Sequence, residues 1–551
     1  MKAIYHLKTI ILILVILAAL SVTSCKKDLN LSPLNSFSSD AFWTSQSNAT
    51  LALAGVYRGN IQMLDAGEFS ATDWWSYHGL LFLEFASDNA YDRRGDNSGL
   101  NTLTNGTLTN SNAYISNYWS LSYARIARCN YFIENVGKTS MDTAIINRMQ
   151  AEARFIRATQ YFYLSQYFGA VPLVVNSLTA SEANVVTKTP KADVAAFVIS
   201  ELKDVAASLP QYKDLTAAEK GRASKQAALA FLGRVQLGQE LYSDAASTYS
   251  TIINYGDNII DPNYSSLFDG SNESSKEIIF AVQYIKDLAP NAMQLHDFPA
   301  IVGGYHIFNP LGSMVESYEF SDGTPFSYTD ARYNATDIGQ NRDPRLGYSI
   351  LYNGQAFGAY NYVSHPDSTS SADQLTLTKQ ATRTGYGLRK FNNPSYIGSD
   401  LANSGTDLPI IRYAEVLLSY LEAKLENGDA INQALLDATI NQIRQRTTVN
   451  MPKVTETNGA KLRVILRRER RNELAFEGIR LWDLLRWKTA ATVLNGDFYG
   501  APFPGAVNLR KKGTTIDPYS RWYVTSKAFR ASTDETWPIP LSEVSINPNL
   551  K

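Results

Sequence analysis

Apolar side chains recur at helical spacing along most of the chain. The pattern predicts helices over residues 38–63, 118–136, 145–168, 192–209, 223–237, 243–255, 409–426 and 430–446. The neighbours 223–237 and 243–255 are separated by a short turn, and small residues such as Gly233 allow close helix–helix approach. Paired helices of this kind predict a mainly α fold with a tetratricopeptide-like scaffold of helical pairs.

Two long stretches lack this helical spacing of apolar residues. Residues 67–111 are rich in aromatic residues, Asp, Asn and Gly, and residues 290–408 are rich in Gly, Tyr, Asn and Pro. Residues 276–284, before the second stretch, are typical of a strand. We expect the second stretch to be a loop-rich insertion carrying short strands. An insertion of this length is unusual in a compact helical protein and indicates a functional role.

Residues 461–488 show the most unusual helical pattern. We expect one long helix here, with Glu469 and Glu473 on the face where a core requires apolar side chains. An unpaired buried charge would cost several kcal/mol, so both carboxylates need basic partners. The pattern therefore predicts a structural ion-pair network.

Helical spacing suggests partners for two of the three glutamates in this segment. Glu473 can reach Arg470 three residues before it, and Glu477 can reach Arg480 three residues after it. Glu469 has no basic residue at these spacings, so its partner must come from another segment. Three arginines on other predicted helices are the candidates: Arg154, Arg157 and Arg412.

The N-terminus carries a targeting signal. Two lysines precede an unbroken apolar run, residues 10–20, that is too short to span a bilayer and is typical of an exported signal peptide. A small residue then precedes Cys25, as at a bacterial lipoprotein cleavage site. We expect a lipoprotein signal peptide over residues 1–24 and a polar tether over 25–39 after lipidated Cys25. An ordinary signal peptide with an incidental cysteine is the alternative.

Composition excludes several classes of function. The formal net charge of −1 gives no electrostatic basis for nucleic-acid binding. If Cys25 is acylated, Cys129 has no disulfide partner, because the chain has two cysteines. The five histidines form no pair at metal-ligand spacing, and neither a nucleophile elbow nor a phosphate-binding loop is present. We predict no metal site and no cofactor.

A glycoside hydrolase is the alternative from a different class. Such enzymes need two carboxylates that flank the scissile bond, and Glu469 and Glu473 are the best pair in the sequence. Their place on an apolar helix face, among seven arginines between Arg463 and Arg486, favours the ion-pair network instead. We therefore expect no enzymatic activity.

The first loop-rich stretch holds the best candidates for ligand binding. Sugar rings can stack on aromatic planes while Asp, Asn and Arg side chains bind hydroxyl groups. The candidates here are Trp74, Trp75, Tyr77, Asp88, Asn89 and Arg93. In the insertion Tyr305 is a further candidate, and His306 and Tyr318 are weaker ones. The alternative for the two tryptophans is that at least one of them fills the core.

Seven motifs in order resemble the SusD/RagB family of outer-membrane lipoproteins from Bacteroidota. They lie at residues 40–59, 118–136, 151–174, 222–237, 411–423, 467–487 and 537–550. The two most specific are RRERRNELAFEGIRLWDLLRW and WPIPLSEVSINPNL, the last two of the seven. The resemblance covers nearly the whole chain.

The resemblance implies four tetratricopeptide-like helical pairs in a right-angled scaffold, with loops on one side as a ligand platform. Helical parts are then expected at residues 40–289, with ligand loops at about 67–111, and at 409–551, on either side of a platform insertion at 290–408. The family's ligand-contacting residues do not carry over, because they lie in segments that differ among members.

The resemblance also implies a binding protein, not an enzyme. Such proteins capture oligosaccharides, or peptides in some members, at the cell surface. They act as a lid on a TonB-dependent outer-membrane transporter of the SusC type. A peptide-binding member remains an alternative, as does a scaffold that binds the transporter and no small ligand.

Overall fold

The computed structural model describes residues 42–58 and 73–551, and between them the short strands Met63–Leu64 and Gly67–Glu68. The predicted signal peptide, the tether and Cys25 lie outside the described residues. Within the described part, no helix combines the length and the apolar character needed to cross a bilayer.

Long helices supply the scaffold. In the described part of the chain those of 13 residues or more are Gln46–Arg58, Ala113–Asn135, Thr143–Phe168, Lys191–Ser208, Lys225–Gly238, Tyr242–Tyr255, Tyr413–Glu426 and Gly459–Glu473. Shorter helices are Ala180–Ala183, Met293–Asp297, Gly312–Ser317, Arg345–Ser349, Gln433–Ala438, Ile440–Arg444, Arg480–Arg486, Ala490–Val493, Ala531–Asp534 and Leu541–Ile546. The predicted helix end at Gly169 is confirmed, since this residue takes a left-handed φ of 73°.

Helices that follow one another in the chain pack side by side. Thr143–Phe168 lies between Ala113–Asn135 and Lys191–Ser208 and has almost no exposed residue in its last five turns. Gly233 allows the close approach predicted for the pair 225–255, because a Cβ there would lie 2.4 Å from the Tyr249 ring. The mainly α, tetratricopeptide-like scaffold is confirmed.

The described chain has six antiparallel two-stranded sheets, of which three are local hairpins and three join segments that are farther apart in the sequence. They pair Met63–Leu64 with Gly67–Glu68, Ala90–Asp92 with Phe308–Pro310, Ile278–Val282 with Leu408–Arg412, Ile350–Leu351 with Gly387–Leu388, Ala356–Phe357 with Tyr360–Asn361, and Asn495–Pro502 with Arg521–Ala528. The strand predicted within 276–284 is confirmed, and its partner returns from the far end of the insertion. The pair formed by Ala90–Asp92 and Phe308–Pro310 joins the first loop-rich stretch to the insertion.

The single long helix predicted over 461–488 is wrong. The helix Gly459–Glu473, here called the arginine helix, ends before Leu474, and a second helix starts at Arg480. The break is stabilised from outside: Gly478 takes a φ of 74° and donates its N–H to Glu84 Oε1 at 2.8 Å. Lys390 Nζ donates to the carbonyl oxygens of Glu473 and Ala475, which the arginine helix leaves without helical partners.

Candidate functional site

Both tryptophans predicted to face the ligand are buried, each with 1% exposure. Trp74 stacks on Tyr118 with ring centroids 4.0 Å apart, and its Nε1–H donates to Ser122 Oγ at 2.8 Å. The prediction of a ligand contact for Trp74 is wrong, and the alternative that it fills the core is right. The reason is tertiary: residues 73–86 coil tightly against the helices Ala113–Asn135 and Thr143–Phe168, so a segment with loop composition becomes part of the core.

Trp75 packs in the same core, beside Phe280 and under the Arg125 guanidinium, which lies 5.0 Å from its ring centroid. It also forms part of the wall of a groove of about 460 Å³ beside the helix Gln46–Arg58. With 1% of its surface exposed, its ring offers that groove no plane on which a sugar could stack. The predicted ligand contact is wrong for Trp75 as well.

Asp88 and Asn89 are buried and bind protein groups. Asp88 lies between Arg471 and Arg480, with N–O distances of 2.8 Å to each. Burial by itself would raise the pKa of Asp88, but the two guanidinium groups outweigh it and lower the pKa far below its usual range. Asn89 donates to Glu84 Oε2 and accepts from Arg471 Nε at 2.8 Å. Both residues anchor the loop to the arginine helix, so their predicted ligand contacts are wrong.

Tyr305 is exposed, with 41% of its surface accessible. Its ring stacks on His296 at 5.8 Å between centroids, and His296 stacks on the half-buried His78 at 4.8 Å. Tyr77, itself buried, places its hydroxyl 3.0 Å from His296 Nδ1 and so supports the stack from inside. Of the predicted aromatic candidates in the described chain, Tyr305 alone presents a ring to solvent.

The histidines in this stack are uncharged at neutral pH. Burial lowers the pKa of His296 to about 4, and burial together with His296 lowers the pKa of His78 well below its usual value. A neutral aromatic stack that ends in an exposed ring suits contact with the C–H face of a sugar. Neither histidine is identifiable from sequence spacing, because His78 and His296 are far apart in the chain.

Arg93 lies at the junction of the two loop-rich stretches. Its backbone N–H donates to the carbonyl oxygen of Ile307, two residues after Tyr305, at 3.1 Å. Its side chain is half-buried, and its Nε atom is buried without a hydrogen-bond partner among the described residues. Burial lowers the pKa of Arg93, which nevertheless stays charged at neutral pH. Through its backbone Arg93 joins the first loop-rich stretch to the segment that carries Tyr305, and its predicted ligand contact stays a prediction.

The two weaker candidates are buried. His306 is fully enclosed, with Nδ1 3.7 Å from an Asp373 carboxylate oxygen and Nε2 3.4 Å from the Tyr362 hydroxyl. Tyr318 is equally inaccessible. Both predictions of ligand contact are wrong, because neither side chain is accessible to a ligand.

The three glutamates of residues 461–488 bind basic side chains from other segments. Glu469 lies 2.6 Å from Arg345 and 2.6 Å from Arg444. Glu473 contacts three guanidinium groups at 2.9–3.1 Å, those of Arg345, Arg412 and Arg446. Glu477 binds Arg412 at 2.6 Å and Lys390 at 2.7 Å.

Most of the predicted partners are wrong. Arg470 pairs with Asp483 and Arg480 pairs with Asp88, because the helix breaks between them. Arg154 and Arg157 both bind Glu201. Arg412 does belong to the network, although it binds Glu473 and Glu477 and not Glu469.

This network lacks what a glycosidase requires. Glu469 and Glu473 are 2% and 0% exposed, so no substrate bond can lie between them. Neighbouring guanidinium groups outweigh the effect of burial and lower the pKa of Glu473 to about 2, whereas a general acid needs a raised pKa. In the described part of the chain, no three His, Cys, Asp or Glu side chains converge as a metal site would require.

Comparison with known protein sequences finds relatives that match most of the chain. Residues 276–551 match the model of the SusD family, and residues 64–237 match a model described as starch-binding, associating with the outer membrane. The chain is 24% identical over 491 residues to SusD-like protein P2 of Formosa agariphila, covering 86% of this chain and 90% of that protein. It is also 24% identical over 476 residues to the starch-binding protein SusD of Bacteroides thetaiotaomicron, covering 77% and 75% of the two chains.

Solved structures show the same fold. The crystal structure of a SusD-like carbohydrate-binding protein from Bacteroides fragilis is 48% identical, with a TM-score of 0.90, and covers 93% of this chain and 100% of that one. A laminarin-binding SusD-like protein at 22% identity has a TM-score of 0.62, over 92% and 98% of the two chains. These relatives are binding proteins by description.

Proposed function

Because the chain belongs to the SusD family, we propose that it binds an oligosaccharide at the cell surface and passes it to a TonB-dependent transporter of the SusC type. The observation that carries the proposal is the exposed Tyr305 ring, which stacks on neutral His296. An exposed aromatic plane of this kind is a surface on which the C–H face of a sugar ring can stack. Relatives described as carbohydrate-, starch- and laminarin-binding support the same ligand class.

The location follows from the N-terminal sequence. Cys25 is proposed to carry the lipid that anchors the protein in the outer membrane, and residues 25–39 to tether the fold to that lipid. The match to a model described as associating with the outer membrane supports this placement. The domain division at residues 40–289, 290–408 and 409–551 remains part of the proposal, with the ligand platform formed by the insertion and by the loops near 67–111.

Calorimetry of the chain without residues 1–25 against a panel of oligosaccharides tests the proposal. For a glycan that binds, Tyr305→Ala should weaken binding about tenfold, because the loss of one stacking plane removes about 1.4 kcal/mol. Tyr360→Ala is the matched control, since Tyr360 is similarly exposed at 46% in a hairpin of the insertion.

The outcomes separate the alternatives. Failure of every oligosaccharide to bind, with peptide pools binding instead, would replace the sugar ligand by a peptide. Equal affinities for the wild-type protein and the Tyr305→Ala variant would show that the ligand contacts another face.

A further inference from the structure

Parallel ring pairs occur at three places in the part of the chain that the structure describes. One is a buried column around Trp74, and the second is the stack that ends in Tyr305. The third, here called the Tyr519 stack, places the Tyr519 ring on the Tyr328 ring, with 4.5 Å between their centroids and 16° between their planes. Tyr519 is 39% exposed, nearly as much as Tyr305. Of these three stacks, the two that lie outside the core therefore both end in an exposed tyrosine.

The Tyr519 stack joins the insertion to the hairpin near the C-terminus. Tyr328 belongs to the insertion, and Tyr519 lies in the turn before the strand Arg521–Ala528 of that hairpin. Phe326 and Tyr333 pack edge-on against the Tyr328 ring, with 4.8 and 5.1 Å between centroids. Tyr328 is half-buried among these rings, so Tyr519 is the ring of the stack that faces solvent more fully.

Hydrogen bonds hold the turn that carries Tyr519. The Asp517 carboxylate accepts the backbone N–H of Tyr519 at 3.0 Å, and the Asp517 carbonyl oxygen accepts the N–H of Ser520 at 2.9 Å. Ser520 takes a left-handed φ of 57°, which a serine rarely adopts, and its carbonyl oxygen accepts the N–H of Phe503 at 2.9 Å. Proteins often keep backbone strain of this kind at ligand-binding sites. The ring of Tyr519 is thus presented by a turn whose conformation the surrounding structure determines.

Arg521 connects the two rings to a carboxylate of the insertion. Its guanidinium lies 5.6 Å from the Tyr519 centroid and 5.4 Å from the Tyr328 centroid. It binds Asp517 at 2.9 Å and Glu316 Oε1 at 2.8 Å. The Tyr328 hydroxyl donates to the same Oε1 at 2.8 Å. These contacts place the Glu316 carboxylate at the edge of the Tyr519 stack.

Glu316 supplies a hydrogen-bond acceptor at this edge. Its side chain is 28% exposed, and its second oxygen, Oε2, accepts no hydrogen bond from a residue that the structure describes. A carboxylate oxygen accepts hydrogen bonds from hydroxyl groups, whereas it repels an anionic ligand. An exposed ring beside such an acceptor suits a neutral sugar, whose C–H face stacks while a hydroxyl group donates.

We propose that the Tyr519 stack and Glu316 form a second sugar-binding surface, which takes a neutral sugar ring from the same glycan that binds at Tyr305. This inference rests on the proposed function and adds a contact to it. Residues 305–316 run from Tyr305 through the strand Phe308–Pro310 to the helix that carries Glu316, so at most about 40 Å of extended backbone separates the two surfaces. A long glycan can therefore occupy both, and two contacts on one ligand reinforce each other.

Native gels that contain one polysaccharide each test this surface, because binding retards the protein. The neutral polysaccharides are starch, laminarin, xylan, mannan, galactan and inulin, and polygalacturonate is the acidic one. For a neutral polysaccharide that retards the wild-type protein, Tyr519→Ala should weaken the affinity about tenfold, since one stacking plane is lost. Tyr305→Ala should have a similar effect, and the double variant should bind more weakly than either single variant.

Matched variants separate stacking from other roles of Tyr519. Tyr519→Phe keeps the ring and should bind as the wild-type protein does. Tyr360→Ala is the control and should leave the affinity unchanged, because Tyr360 is 46% exposed but its ring stacks on no ring of the described chain. Thermal melting of each variant verifies that it is folded. Glu316 is left intact, because it binds both Arg521 and Tyr328.

The results can overturn this inference without overturning the proposed function. Wild-type affinity in Tyr519→Ala, with weakened binding in Tyr305→Ala, would remove the second surface and leave the proposed function standing. A loss in Tyr519→Phe as large as that in Tyr519→Ala would also overturn the inference, because the ring would not be the contact. Retardation by polygalacturonate alone would exclude the neutral ligand class. If neither these gels nor the oligosaccharide panel shows binding by the wild-type protein, both proposals fail.

Discussion

Glu473 keeps its charge where no water reaches it. The side chain has no exposed surface, and its two oxygens lie 2.9–3.1 Å from the guanidinium groups of Arg345, Arg412 and Arg446. Glu277, equally buried, binds two of the same arginines, Arg412 and Arg446. Two carboxylates and two guanidinium groups thus alternate in one buried cluster, which connects the segments flanking the insertion to the arginine helix.

Replacing Glu473 with Ala should lower the free energy of unfolding by about 3–5 kcal/mol, because it leaves buried guanidinium groups without compensation. Urea titration measures the change. Glu240→Ala is the control, since Glu240 pairs with Lys488 at the exposed surface and should have little effect. Loss of oligosaccharide binding at an unchanged unfolding midpoint would contradict a structural role for Glu473.

At the scale of elements, the break between the arginine helix and the next helix connects the first loop-rich stretch to the insertion. The turn at residues 474–479 lets Gly478 contact the first loop-rich stretch, where its N–H binds Glu84. It also lets Phe476 pack edge-on against Phe308, whose strand carries the insertion side of the small sheet. An unbroken helix would make neither contact.

Gly478→Ala should destabilise the protein by more than its backbone conformation alone explains. A Cβ at this position would lie 2.4 Å from the carbonyl oxygen of Leu80. Gly428 has a similar φ of 79° but open space around it. Gly428→Ala should therefore lower the free energy of unfolding only by the strain of an alanine in left-handed backbone, about 1–2 kcal/mol. We expect Gly478→Ala to lower the free energy of unfolding by about 1–3 kcal/mol more than Gly428→Ala does, because the added Cβ overpacks the site. Similar urea midpoints for the two variants would refute the packing argument.

At the scale of the whole molecule, buried carboxylates set the response to acid. Glu422 is held by Arg486 through two bonds of 2.6 and 2.8 Å and by Trp487 Nε1–H at 2.6 Å. These donors outweigh the effect of burial and lower its pKa from 4.5 to about 2. The stabilisation is complete above the unfolded-state pKa, near 4.5, and is lost as pH falls through the folded-state pKa.

The free energy of unfolding should therefore fall below pH 4.5, with Glu422 contributing about 3 kcal/mol to the loss by pH 2. Urea titrations at pH 5 and pH 3 measure this slope, and Glu422→Gln should reduce it. Burial raises the pKa of Glu84 to about 7. The stability that Glu84 contributes is therefore lost as pH rises from 4.5 to 7, and Glu84 does not affect the slope below pH 4.5. An unchanged slope in Glu422→Gln would contradict this assignment.

The sequence determined the class of fold and the family. Apolar periodicity located six of the predicted helices to within five residues, since the scaffold buries whole helix faces and the pattern records which face is inside. The stretches 430–446 and 461–488, each predicted as one helix, both divide into two. The pattern also required partners for Glu469 and Glu473, because a buried charge cannot remain unpaired. These conclusions depend on local spacing, which the sequence states directly.

Tertiary structure alone decided which of the candidate residues are exposed and which are buried. Trp74 and Tyr305 both lie in segments of loop composition, yet one is in the core and the other at the surface, since exposure depends on what packs against each segment. The partners of Glu473 come from residues 345, 412 and 446, and the aromatic stack from residues 78, 296 and 305. Contacts between such distant residues depend on the path of the chain in space, and no local sequence pattern records that path.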